Sequence, residues 1–191
     1  MVQFRTLVAG AAALMLVACQ SRDAAAPAPQ AETKPMIAPI LNTPDAVDIH
    51  SFAKPLEARV THVALDLAVD FAAKSVAGTA TLDVEAKPGV GEIVLDDKGL
   101  QIASITTADG RPLPYKVGAV DPILGAPLTV QIGAARKIVI RYASAPDSAA
   151  LQWLSPEQTA GKKHPYLLSQ GQAIENRSWI PTQDSPGIRQ T

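Results

Sequence analysis

Apolar and polar residues alternate with a period of two over much of the chain. In residues 60–71 (VTHVALDLAVDF), Val63, Leu65, Leu67 and Val69 fall on one side, and His62, Ala64, Asp66, Ala68 and Asp70 on the other. Successive side chains of an extended chain point to opposite faces, so this pattern predicts a half-buried strand. Residues 74–85 repeat it, with Val76, Gly78, Ala80, Leu82 and Val84 opposed to Thr79, Thr81, Asp83 and Glu85. The short Ala72-Ala73-Lys74 link between the runs predicts an antiparallel hairpin. Further strands are expected at 92–95, 101–107, 113–117, 128–132 and 137–142. Asp109-Gly110 marks a tight turn; Pro88-Gly89 and Lys98-Gly99 mark looser ones. Asp96-Asp97 sits in such a turn signal and is expected to be solvated. Past the N-terminal apolar run no amphipathic helix is visible, which predicts an antiparallel all-β domain.

The start of the chain has a different pattern. Arg5 is followed by an apolar stretch from Leu7 to Ala18, shorter than the roughly 20 residues a membrane-spanning helix needs. It reads as an export signal over residues 1–18. Leu16-Val17-Ala18-Cys19 resembles a bacterial lipobox, in which Cys19 becomes the lipid-bearing first mature residue and ties the protein to a membrane. An ordinary signal peptide that happens to contain a cysteine is the alternative. Gln20 rather than Asp after the cysteine favours, by analogy with enterobacterial sorting, the outer membrane facing the periplasm. Residues 19–44 carry Pro27, Pro29, Pro35, Pro39 and Pro44 among Ala, Gln and Thr. Proline continues neither helix nor ladder, so this stretch is expected to be an extended tether. The folded domain is expected over 45–191.

Composition narrows the chemistry. Lys plus Arg number 17 and Asp plus Glu 18; that balance lacks the basic surface of a nucleic-acid binder. Cys19 is the single cysteine, so the chain forms no internal disulfide. The histidines are His50, His62 and His164, and none pairs with another at the i, i+4 spacing that places both imidazoles on one helix face for zinc. Gly89 and Gly91 fit a turn rather than a phosphate loop, and no Gly-x-Ser-x-Gly elbow occurs. Residue by residue, the chain reads as an exported, tethered β module without its own catalytic centre.

The stretch from Ser148 to Pro186 adds a family. Ala150-Leu151-Gln152-Trp153-Leu154, Pro156-Glu157-Gln158-Thr159, Gly161-Lys162, His164-Pro165-Tyr166-Leu167, Ser169-Gln170-Gly171-Gln172-Ala173-Ile174, Arg177, Pro181 and Gln183-Asp184-Ser185-Pro186 follow one another. Their order and spacing resemble the N-terminal domain of zinc aminopeptidases of peptidase family M1, in the leukotriene A(4) hydrolase branch. The opening hairpin is similar too, so the resemblance covers roughly residues 45–191. It implies a large, curved, mostly antiparallel β domain, saddle-like and incomplete at its C-terminal end. It also implies a separate catalytic domain holding zinc on an HExxH helix and binding peptides with a GxMEN strand. Neither motif occurs in this sequence. The chain ends within what would be the last part of the β domain. The chain itself is therefore expected to bind no zinc, and to be inactive alone. Its expected partners are a peptide substrate and the catalytic domain that the family carries.

The resemblance places Gln170, Gly171 and Gln172 at the edge of the substrate cleft. If residues 169–173 are extended, Gln170 and Gln172 share a face. Gly171 between them leaves the other face bare for close approach of a backbone. Carboxamides both donate and accept, so the pair suits a peptide amine or carbonyl. Ordinary polar strand residues are the alternative. In many family aminopeptidases the position of Gln172 is a glutamate that pairs with the substrate ammonium; glutamine there matches the leukotriene A(4) hydrolase branch. Trp153, Trp179, Tyr166 and Leu167 are expected in core or interdomain packing, and Arg177 with Asp184 in an ion pair. The competing function is a tethered β domain that binds a partner without catalysis. GxMEN and HExxH downstream of Thr191 in the gene would separate the two.

Overall fold

The structure, a computed structural model, describes residues 48–191. The expected leader, Cys19 and the tether lie outside the described residues. The described residues form strands β1 (Ala58–Asp70), β2 (Ser75–Ala86), β3 (Glu92–Asp97), β4 (Gln101–Thr107), β5 (Tyr115–Val117), β6 (Ala126–Gln131), β7 (Lys137–Ala143), β8 (Leu151–Leu154) and β9 (Tyr166–Ser169). Short 3₁₀ turns lie at Pro156–Gln158 and Asn176–Ser178.

Strand order is β1-β2-β7-β4 in one sheet, β3-β6-β5 in a second and β8-β9 in a third. Every ladder is antiparallel. None of the sheets closes on itself, so the all-β, open antiparallel architecture expected from the alternation is the one observed. The core joins Leu82, Ile138 and Ile140 of the first sheet to Ile93, Leu95, Leu128 and Val130 of the second. Each such side chain, fully buried, contributes about 1.5–3 kcal/mol relative to exposure.

A bulge sets the phase of β1. Val60 pairs with Val84 and His62 with Asp83, which leaves Thr61 as the extra residue. Ala58 and Val60 precede it at even positions; Val63, Leu65, Leu67 and Val69 follow at odd ones. The inserted residue flips the parity, so all of them face the side of β2 that carries Leu82 and Val84.

The structure corrects parts of the sequence reading. Leu65 and Val69, expected on the buried side, are 40% and 46% exposed, because β1 is an edge strand with no described strand beyond it along this stretch. Phe71 at the hairpin tip meets Trp153 edge-on, with ring centroids 5.6 Å apart. The strand expected from 113 begins only at Tyr115; Pro112 and Pro114 flank Leu113, whose N–H turns instead to Ile105 O at 2.9 Å. The β8–β9 hairpin was not expected.

Candidate functional site: the Gln170–Gln172 loop and its buried anchor

The loop begins where a ladder stops. β8 and β9 pair from Leu151 with Ser169 to Leu154 with Tyr166, and one more bond, Gln170 N–H to Ala150 O at 2.8 Å, carries the pairing past β9. The chain then turns. Glu175 N–H donates to Gly171 O at 2.9 Å, and Gln172 N–H donates to Gln170 Oε1 at 3.0 Å. The Gln172–Ala173 peptide is cis. The expected extended run over 169–173 is therefore broken at Gln172, where a turn starts. The glutamines do not share a strand face. They stand on a loop tip, both exposed, with the Gln170 carboxamide bracing the backbone of Gln172.

Gly171 is also not bare. A Cβ placed on it would overlap the Asn176 carboxamide; Asn176 Nδ2 in turn donates to Asp184 Oδ1 at 3.4 Å. What glycine admits here is a side chain from the following 3₁₀ turn, so the loop is closed from within. The Gln172 carboxamide makes no hydrogen bond among the described residues and is free to donate and accept outward.

A polar network without solvent access holds the loop at its root. Arg177 is fully buried. Its Nη1 donates to Leu124 O at 3.0 Å, and its Nη2 to His50 O and Asp184 O, each at 2.6 Å. Its Nε lies 3.3 Å from Asp184 Oδ2, forming the expected ion pair. Asp96 Oδ1 stands 3.8 Å from Nη1. A guanidinium presents five N–H donors in a rigid plane, and this site uses them to tie three separate segments together.

Asp96 and Asp97, expected in a solvated turn, are instead buried at the end of β3. Asp96 accepts from Ser51 Oγ at 2.6 Å, Phe52 N at 2.8 Å and Asp184 N at 2.9 Å, while its own N–H donates to Thr182 O at 2.8 Å. Burial pushes its carboxyl above the usual carboxylate range, opposed by these donors and by Arg177. Burial likewise raises Asp97, opposed by the N–H groups of Leu100 and Gly99. The sequence shows a DDKG turn; it does not show the 180s segment that covers it.

Lys98 Nζ reaches both Glu175 carboxylate oxygens at 3.1 Å. Ser178 Oγ donates to Glu175 O at 2.6 Å and accepts from Ala150 N at 3.1 Å, fixing the loop to the entry of β8. The histidines do not gather here. His164 is exposed, His62 Nδ1 lies 2.9 Å from Thr191 Oγ1, and His50 offers its backbone oxygen to Arg177. Among the described residues no group of three or more His, Cys, Asp or Glu side chains could hold a metal ion. The zinc of the resembled family does not fit any of them.

The fold and loop define an open antiparallel β domain that presents two exposed glutamines, Gln170 and Gln172, on a braced loop tip. A family model described as the Peptidase M1 N-terminal domain matches residues 59–191, and the chain belongs to that family. Leukotriene A-4 hydrolase of Xenopus laevis is 36% identical over 75% of this chain and 25% of its own length. Leucine aminopeptidase 2 of Yarrowia lipolytica is 37% identical over 69% of this chain and 21% of its own. The solved native leukotriene A4 hydrolase of Saccharomyces cerevisiae superposes with a TM-score of 0.68 at 27% identity, covering 78% of this chain and 25% of that one. The chain thus spans about a quarter of the length of these relatives.

Proposed function

We propose that this chain is the cleft-forming N-terminal part of a zinc-dependent M1 aminopeptidase that removes N-terminal residues from peptides. The observation that carries this reading is the exposed carboxamide of Gln172, unpaired within the described residues, on a loop fixed by Arg177, Asp184 and Asn176. A carboxamide carried on a fixed backbone has only its own side chain to order when it binds a peptide amine or carbonyl. Gln172 would grip the substrate end, and Gln170 would keep the Gln172 backbone in place. Zinc would be held by residues other than the described ones, and would supply the polarising charge for water attack on the peptide carbonyl.

The face beside the loop supports a covering domain. Tyr166 and Leu168 of β9 are 56% and 43% exposed. A catalytic domain docked here would cover these two side chains. Lipid on Cys19 would anchor the assembly to the outer membrane, facing the periplasm, with residues 19–44 as the spacer. The experiment is aminopeptidase kinetics of Gln172→Ala and Gln172→Glu in the enzyme carrying the catalytic domain.

A further inference from the structure

Gly171 and Asn176 meet across the turn that carries Gln172. Gly171 lies outside the left-handed backbone region, so no unusual φ calls for glycine there. Space does. The atoms nearest to a Cβ at this position are Oδ1, Cγ and Nδ2 of Asn176, and all three overlap it. A methyl at 171 and the carboxamide of Asn176 therefore exclude each other.

The carboxamide is held from behind. Its Nδ2 donates to Asp184 Oδ1 at 3.4 Å. The other oxygen of that carboxylate accepts from Arg177 N–H and Nε at 3.1 and 3.3 Å, and Asp184 N–H donates to Asp96 at 2.9 Å. Asn176 O accepts from Trp179 and Ile180 N–H at 3.0 and 2.8 Å, so the backbone beneath the side chain is fixed as well. At the other end of the turn, Gly171 O accepts from Glu175 N–H at 2.9 Å, and Lys98 Nζ holds the Glu175 carboxylate at 3.1 Å. Gln172 lies inside this closed turn.

We infer that Asn176 is a positioning residue for Gln172, a role that rests on Gln172 being the substrate contact. Seated in the space that Gly171 leaves, its carboxamide couples the buried Arg177–Asp184 pair to the backbone that presents the Gln172 amide. The match of slot and side chain fixes the sign of each substitution. Gly171→Ala displaces the carboxamide from Asp184 or lifts the backbone beside Gln172. Asn176→Ala removes all three overlapping atoms, empties the slot and takes this donor from Asp184. In the double variant the new methyl refills the vacated slot, so two harmful changes partly cancel. Groups in contact show such non-additivity, whereas independent sites add.

The test compares Gly171→Ala, Asn176→Ala and the double variant in the enzyme carrying the catalytic domain. It reads KM and kcat on a chromogenic aminoacyl substrate, and hydrogen exchange of the peptide spanning residues 172–175. Each single change is expected to raise KM about three- to tenfold, the range for one weakened hydrogen bond, with kcat little changed. Exchange over 172–175 should quicken about tenfold. The double variant should lie closer to the unaltered enzyme than either single one in both readouts. In a Gln172→Ala background Gly171→Ala should raise KM no further, because the contact it disturbs is already gone; a change acting through general loosening would still add. A double variant worse than both singles overturns the inference, as does unchanged exchange in the singles. If Gln172→Ala raises KM and the single variants do not, Asn176 loses its role while Gln172 keeps its own. If Gln172→Ala leaves KM unchanged, the reading of Gln172 fails and the positioning role falls with it.

Discussion

Arg177 and Asp184 meet at three points: backbone N–H and Nε both donate to Oδ2, at 3.1 and 3.3 Å, and Nη2 donates to the main-chain oxygen at 2.6 Å, all in the buried interior. The guanidinium also serves Leu124 and His50, so one side chain joins the β5–β6 connection, the start of the described domain and the loop carrying Gln172. Arg177→Met removes the charge and strands Asp184 and Asp96 together in the interior. Loss of one partner of a buried pair costs about 3–5 kcal/mol, which should appear as a lowered urea midpoint at unchanged slope. Arg177→Lys keeps the charge but cannot span the same acceptors, and should recover only part of the loss.

Gln183 acts as a backbone surrogate, bonded to Val60 N, Ala58 O and Val94 O. Gln183→Leu fits the volume but leaves those groups buried and unpaired, at about 1–3 kcal/mol for each. Gln183→Glu accepts from Val60 yet cannot donate to the carbonyls while ionised. Its deficit in urea unfolding should be large at neutral pH and shrink as the pH is lowered and the acid protonates.

Asp97 gives the pH dependence. Its folded-state carboxyl is raised by burial, so the folded state holds the proton more tightly than the unfolded chain does. The resulting stabilisation is complete below the unfolded value, about 3.9, and is lost as the pH rises through the raised folded value. Asp97→Asn cannot titrate, and its Oδ1 can still accept from Leu100 N–H. Urea unfolding across mildly acidic to neutral pH should show the unaltered chain weakening relative to Asp97→Asn as the pH rises. Parallel curves would contradict the assignment.

The sequence made the sheets legible wherever alternation was long. Val63–Val69 and Val76–Val84 announced a hairpin, but the bulge at Thr61 emerges only in the β1–β2 register. Short strands were not legible. Leu151–Leu154 and Tyr166–Ser169 are too brief for a period to stand out among glutamines and prolines. The burial of Asp96 was invisible because its cover, Asp184, lies 88 residues away; a local DDKG signal cannot report a contact at that separation. Gln170 and Gln172 were found through family wording, but their geometry was not, since the turn at Gln172 depends on Asn176 entering the space at Gly171.

The central claim is that the Gln172 carboxamide holds the end of a peptide substrate, and steady-state kinetics on a chromogenic aminoacyl substrate test it most directly. In the enzyme with its catalytic domain, Gln172→Ala should raise KM about tenfold with kcat little changed, as expected for one lost hydrogen bond made equally in ground and transition states. Gln172→Glu should lower KM for substrates with a free amine. Kinetics of Gln172→Ala indistinguishable from those of the unaltered enzyme would contradict the claim.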